Sequence, residues 1–76
     1  MSTITFRRSN DRDRRALERL ATLDSSRSLT GSALVAEQNG AMLAAVTLDG
    51  RSAIADPFKP TAALVAMLRS WSAQLA

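Results

Sequence analysis

The spacing of apolar residues changes repeatedly along this chain, and each change marks an element. Ile4 and Phe6 alternate with Thr3, Thr5 and Arg7. That period of two predicts a half-buried strand over 3–7 with Ile4 and Phe6 facing the core. Asn10 then supplies a helix cap, with Asp11 and Asp13 in the first turn, where the helix dipole favours anions. Ala16, Leu17, Leu20, Ala21 and Leu23 follow at helical spacing and predict a helix over 11–23. Asp11 and Arg15 stand at the i,i+4 separation that suits an ion pair. The serine-rich stretch 24–32, with Gly31 near its end, reads as a loop.

Residues 34–56 carry the strongest local signal. Asn39-Gly40 and Asp49-Gly50 are dipeptides suited to type I′ hairpin turns, whose two central residues both need positive φ. One strand length separates them, so a three-stranded antiparallel meander is predicted. Its middle segment, 41–48, is apolar on both faces apart from Thr47, as a central strand covered on both sides would be. Glu37 and Gln38 end the preceding strand, and Arg51 and Ser52 open the following one, 51–56. Pro57 and Pro60 then punctuate the chain, and Pro60 suits the first turn of a helix. In that helix Leu64, Val65, Met67, Leu68, Trp71 and Leu75 form one broad apolar face. The opposite face holds Ala62, Ala63, Ala66, Ser70 and Ala73, with Arg69 its only charge. The order is β-α-β-β-β-α, an α+β domain with a four-stranded, mostly antiparallel sheet.

Composition narrows the chemistry. The 76 residues make a single domain, 1–76, too short for a large core. Cysteine, histidine and tyrosine are all absent. Disulfides, thiolate metal sites and Ser-His-Asp or Cys-His catalysis within one chain are therefore excluded. The acids are scattered and form no calcium-loop pattern, so no metal is expected. The absence of cysteine, of a signal-like N-terminus and of a long apolar run predicts a soluble, cytoplasmic protein without a membrane segment. Net charge is +3, and the excess lies entirely in residues 1–27, where seven arginines face four acids.

Three segments together resemble the N-terminal half of the GNAT superfamily of N-acetyltransferases. They are the opening Ile4-Thr5-Phe6-Arg7-Arg8, the capped helix ending Leu20-Ala21-Thr22-Leu23-Asp24, and Leu34-Val35-Ala36-Glu37 with its turn and Leu43-Ala44-Ala45-Val46. The resemblance implies a GNAT-like half domain with its helices on opposite faces of the sheet. It also implies a departure. Family members carry a proline after the meander, then an Arg/Gln-x-x-Gly-x-Gly/Ala loop whose N–H groups hold the acetyl-CoA pyrophosphate. Aligned on Pro57, this chain has Pro60 at the arginine position, Ala63 at the first glycine and Val65 at the last. Pro60 lacks an N–H, Val65 is β-branched, and Asp56 adds negative charge nearby. No cofactor is expected to bind, and acetyl transfer by a single chain is not expected.

Each candidate site has a plainer reading. Arg12, Arg15 and Arg19 share one side of the first helix and could meet nucleic acid, with Arg7 and Arg8 beside them. Four interleaved acids and the lack of a stacking aromatic favour a solvated surface instead. Ser25, Ser26, Ser28 and Thr30 could cradle an anion with Gly31, but ordinary loop chemistry accounts for them. Glu37 reads as a solvated strand end. Trp71 reads as core or interface packing beside Leu68 and Leu75. The face of Ala62, Ala66, Ser70 and Ala73 is the exception. So weakly charged a surface favours a subunit contact, joined by Trp71 and by Ile54 of the presumed edge strand 51–56. The expectation is a non-catalytic homodimer or association protein. One rival is a dimer that binds acetyl-CoA between subunits, with Lys59 as the nearby cation; the other is a nucleic-acid accessory using the arginine cluster.

Overall fold

A computed structural model describes residues 3–29 and 31–75. The elements run β1 (Thr5–Arg8), a 3₁₀ turn (Asp11–Asp13), α1 (Arg14–Leu23), β2 (Ala33–Gln38), β3 (Ala41–Thr47), β4 (Ala53–Ala55) and α2 (Ala62–Leu75). The β-α-β-β-β-α order matches the hydrophobic pattern. All neighbouring strands pair antiparallel, in the spatial order β1-β2-β3-β4. Both β2 and β3 are therefore central. Of the predicted strand 51–56, the ladder keeps only Ala53–Ala55, which forms one edge of the sheet.

The helices lie on opposite faces. On one side Leu17, Leu20 and Ala21 of α1 pack on Ala33, Val35, Ala45 and Ile54. On the other, Leu64 and Leu68 of α2 pack on Leu34, Ala36, Ala44 and Val46, with Ile4, Phe6 and Trp71 at the margin. Strand alternation alone would separate Leu43 from Ala44, yet both join the α2-side core. The β2–β3 register explains this: Ala36 faces Ala44 but Glu37 faces Met42, so β3 carries one extra residue there.

The two hairpins differ. Asn39 and Gly40 both have positive φ, 53° and 78°, as the type I′ expectation requires. Asp49-Gly50 does not follow it. Gly50 lies at φ 74° but Asp49 stays out of the positive region, and a four-residue loop, 48–51, separates Thr47 from Ser52. Asp49 Oδ1 accepts from Thr47 Oγ1 at 2.6 Å and from the Arg51 N–H at 3.0 Å. This side-chain turn competes with the two-residue hairpin and prevails.

Helix ends also depart from expectation. The predicted helix over 11–23 begins as a 3₁₀ turn, with Asn10 Oδ1 accepting from the Arg12 N–H at 2.9 Å. No ion pair joins Asp11 and Arg15. At its other end α1 closes with Ser25 N–H on the Thr22 carbonyl and Ser26 N–H on the Ala21 carbonyl. This is a Schellman pattern with Ser25, at φ 53°, in the place glycine usually takes. Pro60 stands outside α2, since the Val65 N–H bonds back to the Thr61 carbonyl and makes Thr61 the boundary. Met67 and Leu75, predicted on the apolar face, are 54% and 45% exposed. Met67 sits at the border of the buried stripe and Leu75 in the last turn, beyond the sheet. No helix among the described residues is long and apolar enough to cross a membrane.

Candidate functional site

The densest polar arrangement joins β1, β2 and the start of α1. Arg7 points to the α1 side of the sheet, where its Nε donates to Glu37 Oε1 at 2.9 Å and its Nη2 to Glu37 Oε2 at 3.2 Å. The same guanidinium reaches Asp13 through Nη1–Oδ2 at 2.8 Å and Nη2–Oδ1 at 2.9 Å. Nη1 also donates to the Arg8 carbonyl at 3.0 Å. All five guanidinium donors are thereby used. Asp13 is buried, and its Oδ2 additionally accepts the Asn10 N–H at 2.7 Å, completing a reciprocal cap.

These bonds set the electrostatics. Hydrogen bonds from Arg7 hold both the Asp13 and the Glu37 carboxyl below the usual carboxylate range, against a smaller opposing effect of burial. The two carboxylates in turn hold the Arg7 guanidinium charged more firmly than usual. Carboxylates locked in the ionised form by a saturated arginine do not exchange protons near neutral pH, so this cluster is a clamp and not an acid-base pair. The solvated-strand-end reading of Glu37 is corrected accordingly. Sequence reading missed the clamp because its members lie six and thirty residues apart. The one local hint was Asp13 standing three residues after Asn10.

Arg12, Arg15 and Arg19 are exposed and line one groove with Leu23, Met42 and Asp56. Arg7 is withdrawn from that set by the clamp. In the loop 24–32, Ser26 Oγ donates to the Asp24 carbonyl at 3.2 Å, while Thr30 lies outside the described residues. Among the described residues no group of three or more acids, histidines or cysteines is placed to hold a metal.

The proposed contact surface divides. Ala62, Ala66, Ser70 and Ala73 are all exposed on the outer side of α2. Trp71 is half-buried against the α2-side core. Ile54 is 1% exposed, inside the α1-side core. Its placement at an interface is corrected: at the α1-side face of β4 it is already covered by α1. The edge itself is partly closed as well. Asp56 N–H bonds inward to the Leu43 carbonyl, so alternation turns the Ala55 N–H outward, where Asp24 Oδ2 accepts it at 3.1 Å.

The GNAT resemblance places the pyrophosphate loop at 60–65, where the chain passes from Pro60 into the first turn of α2, and the N–H groups just before it are used internally. The Phe58 N–H donates to Asp56 Oδ1 at 2.8 Å and the Lys59 N–H to the Asp56 carbonyl at 3.3 Å. Pro57 and Pro60 have none to offer. Compared with known proteins, the chain matches no family model, no curated protein and no solved structure.

Proposed function

We propose that this protein acts by association, as a cytoplasmic homodimer formed through the outer face of α2, on a GNAT-like half-fold that performs no acetyl transfer. One observation carries the reading. Arg69 is the sole ionisable side chain of the 14-residue α2, and its Nε donates at 3.3 Å to the Gly50 carbonyl. The surface of Ala62, Ala66, Ser70 and Ala73 therefore has Arg69 at its margin as its single charge, whereas a solvated protein surface is about a quarter to a third charged. Met67, 54% exposed, adds a flexible apolar contact at its border. Small side chains let two such helices approach closely.

The non-catalytic half of the reading is supported by the locked carboxylates of Asp13 and Glu37 and by Pro60 and Val65, which stand where the family's loop needs bare, donating main chain, with the Phe58 and Lys59 N–H groups turned onto Asp56. Size-exclusion chromatography with light scattering tests the association: a dimer is expected at micromolar concentration and a monomer after Ala66→Arg. A monomeric parent protein would overturn it. Saturable acetyl-CoA binding in a calorimetric titration would overturn the non-catalytic half.

A further inference from the structure

A second basic cluster forms where no stretch of sequence advertises it. Arg27 in the loop after α1, Arg51 in the β3–β4 hairpin and Arg69 on α2 line one groove of about 480 Å³ that runs around the β4 edge. Ser28 and Ser52 share the lining, and none of its described residues carries a carboxylate. Arg27 and Arg51 make no side-chain hydrogen bond or ion pair with another described residue, and Arg69 commits only its Nε. Asp49, the nearest acid in sequence to Arg51, is attracted to its charge through space but lies outside the lining, tied to Thr47 Oγ1 and to the Arg51 main-chain N–H.

The edge strand adds a main-chain donor. The Ser52 carbonyl accepts from the Thr47 N–H and the Asp56 N–H points to Leu43, so alternation turns the N–H of Ala53, another lining residue, outward. Asp24 closes the neighbouring Ala55 N–H but not this one. Guanidinium forks, hydroxyls and a free N–H converging from three elements, with no acid among them, match the oxygens of a phosphoryl group. Three guanidinium charges exceed the charge of about −2 on one phosphoryl group, which favours two linked phosphates. The volume suits a small molecule.

We propose that this groove binds a small phosphorylated molecule, its diphosphate held between Arg27, Arg51 and Arg69 at the open edge of β4. The site is independent of the outer face of α2, so a monomeric protein would leave it standing.

Calorimetric titration of the full chain with inorganic pyrophosphate at physiological salt tests it. Saturable binding is expected, weakened about tenfold by Arg27→Gln and again by Arg51→Gln, the worth of one charge-assisted hydrogen bond each. Both residues are exposed, and unchanged thermal unfolding of the variants confirms that the fold persists. Arg12→Gln with Arg15→Gln removes equal charge elsewhere and is expected to leave binding intact. Adenosine diphosphate as a second titrant separates the sources: tighter binding than pyrophosphate assigns the groove to nucleotides, and equal binding to the diphosphate alone. Absence of saturable binding, or equal weakening by the Arg12 and Arg15 control, would overturn the proposal. So would binding of a single-stranded oligoribonucleotide without any response to pyrophosphate.

Discussion

Arg7 and Asp13 meet fork to fork, with Nη1–Oδ2 at 2.8 Å and Nη2–Oδ1 at 2.9 Å. Asp13 is at the same time the residue that caps the Asn10 N–H at the entry to α1. One carboxylate thus joins the edge strand β1 to the start of the helix that covers the sheet, and Arg7 extends the link to Glu37 on β2. The ends of these three elements are coupled through a single guanidinium.

Replacing Arg7 should therefore cost more than an exposed strand arginine would. Arg7→Leu leaves the buried Asp13 and the half-buried Glu37 without their counter-charge, and a loss of about 2–3 kcal/mol is expected. Arg8→Leu, on the neighbouring exposed residue, should stay within about 0.5 kcal/mol. Urea unfolding of both variants measures the difference.

Acid should find the same cluster. The folded protein holds Asp13 and Glu37 below their usual range, so as pH falls the unfolded chain takes up protons first. Stability from these groups is complete above their ordinary values of about 4 and is lost as pH drops through the lower folded values. Asp13→Asn removes one titrating group, so its stability should fall less steeply below about pH 4. Urea midpoints measured across that range give the slope.

Gly50 is the glycine with two constraints. Its φ is 74°, and a Cβ there would stand 2.7 Å from Ser72 Oγ, whereas at Gly40 only the positive φ applies. Ser72 is buried and its hydroxyl already donates to the Arg69 carbonyl at 2.7 Å, so it has little room to turn. Gly50→Ala is expected to destabilise by about 2–4 kcal/mol and Gly40→Ala by about 1–2 kcal/mol. Thermal melts of the pair would show the two changes to be equal if the hairpin and α2 were not in contact.

Ser25 offers a gain. Its left-handed backbone at the end of α1 strains any residue with a Cβ. Ser25→Gly should stabilise by about 0.5–1 kcal/mol, read as a raised denaturation midpoint.

Leu68 and Trp71 separate core from margin. Leu68 is 0% exposed between α2 and the sheet, and Leu68→Ala should cost about 3–5 kcal/mol. Trp71 is only half-buried, so Trp71→Ala should cost less, about 1–3 kcal/mol. A larger loss at Trp71 than at Leu68 in chemical denaturation would contradict this ranking.

Element order, the antiparallel meander and the two helix faces were legible in the sequence by itself, because each rests on neighbours within a few residues. Alternation marked Ile4 and Phe6, the pair Asn39-Gly40 supplied positive φ, and the helical spacing of Leu17, Leu20 and Ala21 marked a buried stripe. Tertiary structure decided what depended on distant partners. Glu37 became half of a clamp because β1 lies beside β2 and places Arg7 next to it. Asp49-Gly50 took a wider loop, and there Gly50 meets Ser72 and the side chain of Arg69. Asp24 closed part of the β4 edge from the far end of α1. Arg27, Arg51 and Arg69 came to share one groove from three separate elements. Local spacing governs backbone dihedrals and faces, whereas hydrogen bonds and charges act between whichever groups the packed sheet and helices bring within reach.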